Sequence, residues 1–144
     1  MITLIARRTI RATPDRLFEA WTTPSLLRQW WGPAGVECID AHVDLRVGGR
    51  YRIANRFDDG HVVWISGQFE RIQPPSLLVY TWHVEPNETA ERVTVQFEPA
   101  DEGTTVVVLH ERIADEPTRD LHDRGWRECL DGLQTFAEIP TRTG

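Results

Sequence analysis

Between Val36 and Ile113 the chain is interrupted at short, regular intervals by turn formers: Gly48-Gly49, Asp58-Asp59-Gly60, Pro74-Pro75, Pro86-Asn87-Glu88 and Asp101-Glu102-Gly103. Glycine admits positive φ, and Asp and Asn side chains hydrogen-bond their own backbone, so each cluster favours chain reversal. The stretches between them are rich in β-branched and aromatic residues with a period of two. They predict strands near 36–45, 50–57, 61–72, 77–85, 91–99 and 104–113. A parallel pair needs a crossover of roughly a dozen residues or more, and these turns leave no room for one. The segment must fold as an antiparallel meander, which excludes a Rossmann-type sheet.

The flanks follow a different rhythm. Residues 2–12 read as a first strand that stops at Thr13-Pro14, where Thr13 can cap a helix and Pro14 suits its first turn. Leu17, Phe18, Ala20 and Trp21 then fall on one helical face. Thr23-Pro24 opens a second short helix carrying Leu26, Leu27, Trp30 and Trp31, closed by Gly32-Pro33. Past Pro117 the helical period returns in His122, Gly125, Trp126, Cys129, Leu130, Leu133, Phe136 and Ala137. A helix of about 22 residues is about 33 Å long, enough to cross a sheet, and its apolar stripe has only that sheet to lie on. A chain of 144 residues hides roughly 70% of its unfolded surface, so one core suffices. The expectation is a single α+β domain over 1–144: a seven-stranded antiparallel sheet curved around a long C-terminal helix, with two short helices after the first strand.

Composition narrows the function. The 16 basic residues are all arginine, scattered among 22 acidic ones, for a formal charge of −6. Nucleic-acid readers gather a basic excess on one face, so no nucleic-acid partner is expected. Without lysine there is neither a Schiff base nor a P-loop. Cys38 and Cys129 have no CxxC or zinc-type spacing and read as buried reduced thiols. No GxSxG, HExxH or GxGxxG occurs, so neither a cofactor nor a metal is expected and no nucleophile stands out. Met1 to Arg8 lacks a secretory leader pattern, and no run approaches roughly 18 apolar residues. The chain reads as a cytoplasmic protein without membrane insertion, which makes the Asn87-Glu88-Thr89 sequon incidental.

Several separated motifs, in order, carry a resemblance: Trp30-Trp31-Gly32-Pro33, Asp44-Leu45-Arg46-Val47-Gly48-Gly49, Pro74-Pro75 followed by Leu78-Val79-Tyr80-Thr81-Trp82, Gly103-Thr104-Thr105, and His122 with Gly125-Trp126. The chain resembles, over nearly its whole length, the bacterial homologues of the activator of the 90-kDa heat-shock chaperone's ATPase. That family sits in the helix-grip group with START lipid carriers, the birch-pollen allergen type and polyketide cyclases. The resemblance implies an apolar cavity between the curved sheet and the long helix. It implies little about chemistry, since one shell serves carriers, cyclases and co-chaperones.

Large aromatics suit such a cavity, because a ring can stack on a flat ligand while an indole N–H or phenol O–H orients it. The candidate lining is Trp30, Trp31, Tyr51, Trp64, Tyr80, Trp82, Phe97, His110, Trp126 and Leu130, with the phase of Val62-Val63-Trp64-Ile65 ambiguous. His110 and Glu111 are adjacent in a strand, so one of the two points inward; if it is His110, which shares parity with Val106 and Val108, it joins His122, one turn before Trp126, as an acid/base candidate. Asp40, His42 and Asp44 share one face, and a His between two carboxylates is a ligand set a divalent metal could use, but the opposite parity, Ile39, Ala41, Val43 and Leu45, is the core face, which leaves the polar set solvated. Arg50 or Arg52 at a cavity mouth could hold a carboxylate. Exposed aromatics around Trp30-Trp31 would offer a homodimer face unless they point inward.

The leading expectation is a binding protein for a small apolar aromatic, acyl or lipid-like ligand. The competing readings are a cyclase- or dehydratase-like enzyme using His110 or His122 in the same cavity, and a co-chaperone-like interaction module. The last is weakened because the sequence stops at Gly144, directly after the single fold.

Overall fold

Thr13 and Asp115 accept hydrogen bonds from the backbone N–H groups of Arg16 and Thr118, and each is followed within two residues by proline, so both helix starts are capped as the sequence demands. The computed structural model describes residues 1–86 and 90–138. The Asn87-Glu88-Thr89 sequon lies outside the described residues. In chain order the elements are β1 (Ile2–Ile10), α1 (Pro14–Thr22), α2 (Pro24–Trp30), β2 (Val36–Val43), β3 (Arg50–Phe57), β4 (Val62–Gln73), β5 (Leu77–Val84), β6 (Glu91–Ala100), β7 (Gly103–Ile113) and α3 (Glu116–Ala137).

The seven strands form one antiparallel sheet in the order β1-β7-β6-β5-β4-β3-β2. The meander runs unbroken from β2 to β7, and β1 pairs beyond β7, with Ile10 opposite Thr104 and Ile5 opposite Leu109. One face buries Val93, Val95 and Phe97 of β6, Val106 and Val108 of β7, and Leu78, Tyr80 and Trp82 of β5. Alternation does the sorting, since residues two apart share a face. Onto this face α3 lays Trp126, Cys129, Leu130, Leu133 and Ala137. Among the described residues no helix is long and apolar enough to cross a membrane.

A β-bulge between Cys38 and Asp40 corrects the expected phase of β2. The extra residue flips the parity, so Cys38 and Ala41 are the buried positions, and Leu45, expected in the core, is 41% exposed beyond the strand's end. Trp30 and Trp31 are buried, which removes the apolar dimer face they would have formed outside.

Candidate functional site

The helix α3 meets the sheet unevenly. Near its C-terminus Leu130 and Leu133 are fully enclosed, and a Cβ built on Gly132 would stand 2.7 Å from the carbonyl oxygen of Trp30, so only glycine lets α2 and α3 approach this closely. Near its N-terminus the helix stands away from the sheet. A Cβ on Gly125 would meet nothing within 4 Å, and the space it faces is a cavity of about 710 Å³. Trp31 after α2, Asn55 and Phe57 of β3, Val63 and Ile65 of β4, Trp82 and Val84 of β5, and Leu121, His122, Gly125, Trp126 and Cys129 of α3 wall it.

The aromatic walls are locked. Trp31 donates its indole N–H to Asn55 Oδ1 at 3.1 Å and packs edge-on to Trp126 at 5.5 Å between ring centroids. Beneath them the centre of the sheet is filled. Tyr51 donates to the Thr81 carbonyl at 2.6 Å, Trp21 donates to the Tyr80 hydroxyl at 3.2 Å, and the two tyrosine rings lie 5.0 Å apart. Tyr51 and Tyr80 border a separate void of about 20 Å³, room for about one water.

Three side chains from three elements make the cavity's polar end. Glu91 of β6 and His110 of β7 face inward, and His122 comes from the second turn of α3. His110 Nε2 lies 2.6 Å from Glu91 Oε1. His122 Nε2 lies 3.0 Å from the same oxygen but out of line for a hydrogen bond, so this buried nitrogen has no hydrogen-bond partner among the described residues. The two imidazoles stack, 4.5 Å apart and 17° from coplanar. On the far side of His110 the indole N–H of Trp126 donates to Nδ1 at 3.0 Å. An indole nitrogen can only donate, so Nδ1 must be the unprotonated nitrogen and Nε2 carries the proton that Glu91 accepts. His110 is therefore fixed in one neutral tautomer.

The electrostatics agree. Burial, the largest effect, and the neighbouring His122 hold His110 below the ordinary imidazole range, against the pull of Glu91. Burial alone would push the Glu91 carboxyl up, but its contacts with His110 and His122 outweigh that and bring it down to about 2. The Cys129 thiol beside the cavity is pushed by burial up to about 12, so it stays protonated and is no nucleophile. Trp82 adds a second orphan: its buried indole N–H finds no acceptor among the described residues.

Of the residues singled out from sequence, Trp31, Trp82, His122 and Trp126 border the large cavity. His110 is wholly buried behind Trp82 and Trp126. Trp30 donates to the Ala20 carbonyl at 2.8 Å, Phe97 packs edge-on to Phe18 and Trp21, and Leu130 is enclosed; all three fill the core away from the cavity wall. Trp64 lies on the opposite face of β4 from Val63 and Ile65, roofed by the Arg52 guanidinium at 3.8 Å. That same Arg52 holds Glu85 through two hydrogen bonds of 3.0 and 2.8 Å, and Arg50 is exposed; the arginine that borders the cavity is Arg124. His42 lies 3.1 Å from Asp40 on the solvated side of β2. Glu91 escaped the sequence reading. Its signal was parity: it opens the series Glu91, Val93, Val95, Phe97, whose other members are all buried.

The family model described as activator of Hsp90 ATPase homolog 1-like protein matches residues 11–138. No curated protein matches the chain. Among solved structures, a Chromobacterium violaceum protein is 25% identical, with 96% of this chain and 98% of that one covered and a TM-score of 0.87. An AHSA1 protein of Silicibacter pomeroyi is 24% identical over 93% and 96% of the two chains, TM-score 0.83. An AHSA1-like protein of Aeromonas hydrophila is 20% identical over 99% and 100%, TM-score 0.78.

Proposed function

The chain belongs to the family of activator-of-Hsp90-ATPase-homolog-1-like proteins, and from that premise we propose that it binds a small, apolar, ring-containing or acyl molecule in the cavity between the sheet and α3. The observation that carries this reading is the cavity itself, about 710 Å³ and lined by three indoles and aliphatic side chains together with the charged Asp58, Asp59, Arg124 and Glu128. Its size falls within the roughly 300–1,000 Å³ common for small-molecule sites. Trp31, Trp82 and Trp126 supply flat contact area for such a molecule. Native mass spectrometry of the freshly purified protein, followed by organic extraction, tests it. A discrete added mass that disappears on denaturation and proves to be an apolar molecule is the expected result. A clean protein mass, together with no retention of any member of a panel of neutral aromatic and acyl probes, would overturn the reading.

One observation favours a second reading, an acid/base catalyst acting in the same cavity. His122 borders the cavity and brings Nε2 to 3.0 Å from Glu91 Oε1, so that a small turn of its ring would make it a base oriented by a carboxylate. His110 does not fit that role, because Trp126 and Glu91 occupy both its nitrogens. If the cavity ligand is turned over, His122→Gln should abolish turnover while leaving its binding within a few fold; retained turnover would remove this reading.

A further inference from the structure

We propose that Glu91, His110 and His122 form a binding site for a single divalent transition-metal ion, of the zinc or ferrous class, beside the cavity. Two imidazoles and one carboxylate are a donor set suited to these ions, and three protein ligands leave coordination positions open for water or a ligand oxygen. One ligand atom from each of the three residues lies within 4.8 Å of the other two. Around a tetrahedral ion with bonds of about 2.0–2.2 Å, ligand atoms stand roughly 3.3–3.5 Å apart. The present separations of 2.6 Å and 3.0 Å from Glu91 Oε1 therefore need to open by less than about 1 Å. The residues come from two adjacent strands and the helix that crosses them, so their backbones are held by the fold rather than by loops.

A second, independent observation is the orphan. His122 Nε2 is buried and has no hydrogen-bond partner among the described residues, although Glu91 Oε1 is within reach. Buried polar atoms are rarely left so. An ion between His122 and Glu91 would satisfy this nitrogen and draw on a carboxylate lone pair as well. The site rests on this trio and not on the apolar-ligand reading, since each can be tested without the other.

Trp126 makes the site conditional. A metal on His110 Nε2 displaces the ring proton to Nδ1, where it would face the indole N–H, donor against donor. Loading must therefore release that hydrogen bond, and Trp126 acts as a brake on metal affinity. This gives the proposal a signature that an incidental surface site does not share: removing the indole should tighten binding.

The test uses tag-free, chelator-treated protein titrated with Co²⁺ and with Zn²⁺. The expected result is one metal per chain by elemental analysis and visible Co²⁺ bands of nitrogen and oxygen ligation without a thiolate charge-transfer band. Glu91→Gln and His122→Ala should each weaken binding by about a hundredfold, Trp126→Phe should tighten it about tenfold, and His42→Ala, on the far side of the sheet, should change nothing. Circular dichroism and thermal melts establish that each variant folds. Absence of stoichiometric binding to wild-type protein overturns the proposal. So does a thiolate band, or unchanged affinity in folded Glu91→Gln and His122→Ala proteins.

Discussion

The two halves of α3 lie on the same sheet and are treated oppositely by it. From Cys129 to Ala137 the helix is pressed home, with Leu133 fully enclosed and Gly132 allowing the Trp30 carbonyl to approach the helix backbone. From Leu121 to Gly125 the helix is lifted except at His122, whose ring stacks on His110; Leu121 is 67% exposed and Gly125 faces open space. The pressed half supplies stability, and the lifted half gives up packing to keep a cavity. Glycine serves both, once to permit contact and once to withhold a side chain.

Truncation in the pressed half should produce the largest effect. Leu133→Ala is expected to cost about 3 kcal/mol in urea melts without altering ligand affinity; a loss below about 1 kcal/mol would mean that half is not close-packed. Next comes acid. In the metal-free protein, His110 is held below the usual imidazole range and Glu91 at about 2. The unfolded chain binds protons first in both cases, so stability falls with decreasing pH, beginning near the ordinary imidazole value of 6.5 for His110 and continuing from the ordinary carboxyl value of 4.5 down through about 2 for Glu91. Glu91→Gln should flatten the lower part of that profile; an unchanged profile would show that the carboxylate is not held by its histidines.

The two glycines sharpen the contrast with opposite signs. Gly132→Ala drives a methyl to 2.7 Å from a backbone oxygen and should lower stability by about 1–2 kcal/mol despite better helix propensity. Gly125→Ala meets nothing and should raise stability by about 0.5–1 kcal/mol. Thermal melts of the pair read both, and equal signs would erase the distinction between the halves.

Much of this architecture was legible because turn chemistry is local. Residues 77–85 were expected as a strand and Leu77–Val84 is one; the Pro and Gly clusters allow little else. The phase of β2 was not legible, because the bulge at Cys38–Asp40 is set by pairing with β3 and leaves no mark in the residues themselves. Trp64 misled for a related reason: Val63, Trp64 and Ile65 are apolar on both faces, and a guanidinium from the neighbouring strand covers the outward indole. Parity with Val106 and Val108 made His110 one of two inward options beside Glu111, and it is His110 that lies wholly buried. Its meeting with Glu91 and His122 depends on where α3 comes over the end of β7, a tertiary distance that no spacing in the sequence encodes.

The central claim, that the lifted half of the grip is an apolar binding site, is met most directly by titrating a neutral naphthylamine fluorophore into wild-type protein and into Gly125→Leu. The account predicts saturable one-to-one binding to the wild type at micromolar affinity. In the variant, whose new side chain enters the cavity, binding should weaken at least tenfold while the melting temperature holds or rises. Equal binding by both proteins, or none by the wild type, would contradict it.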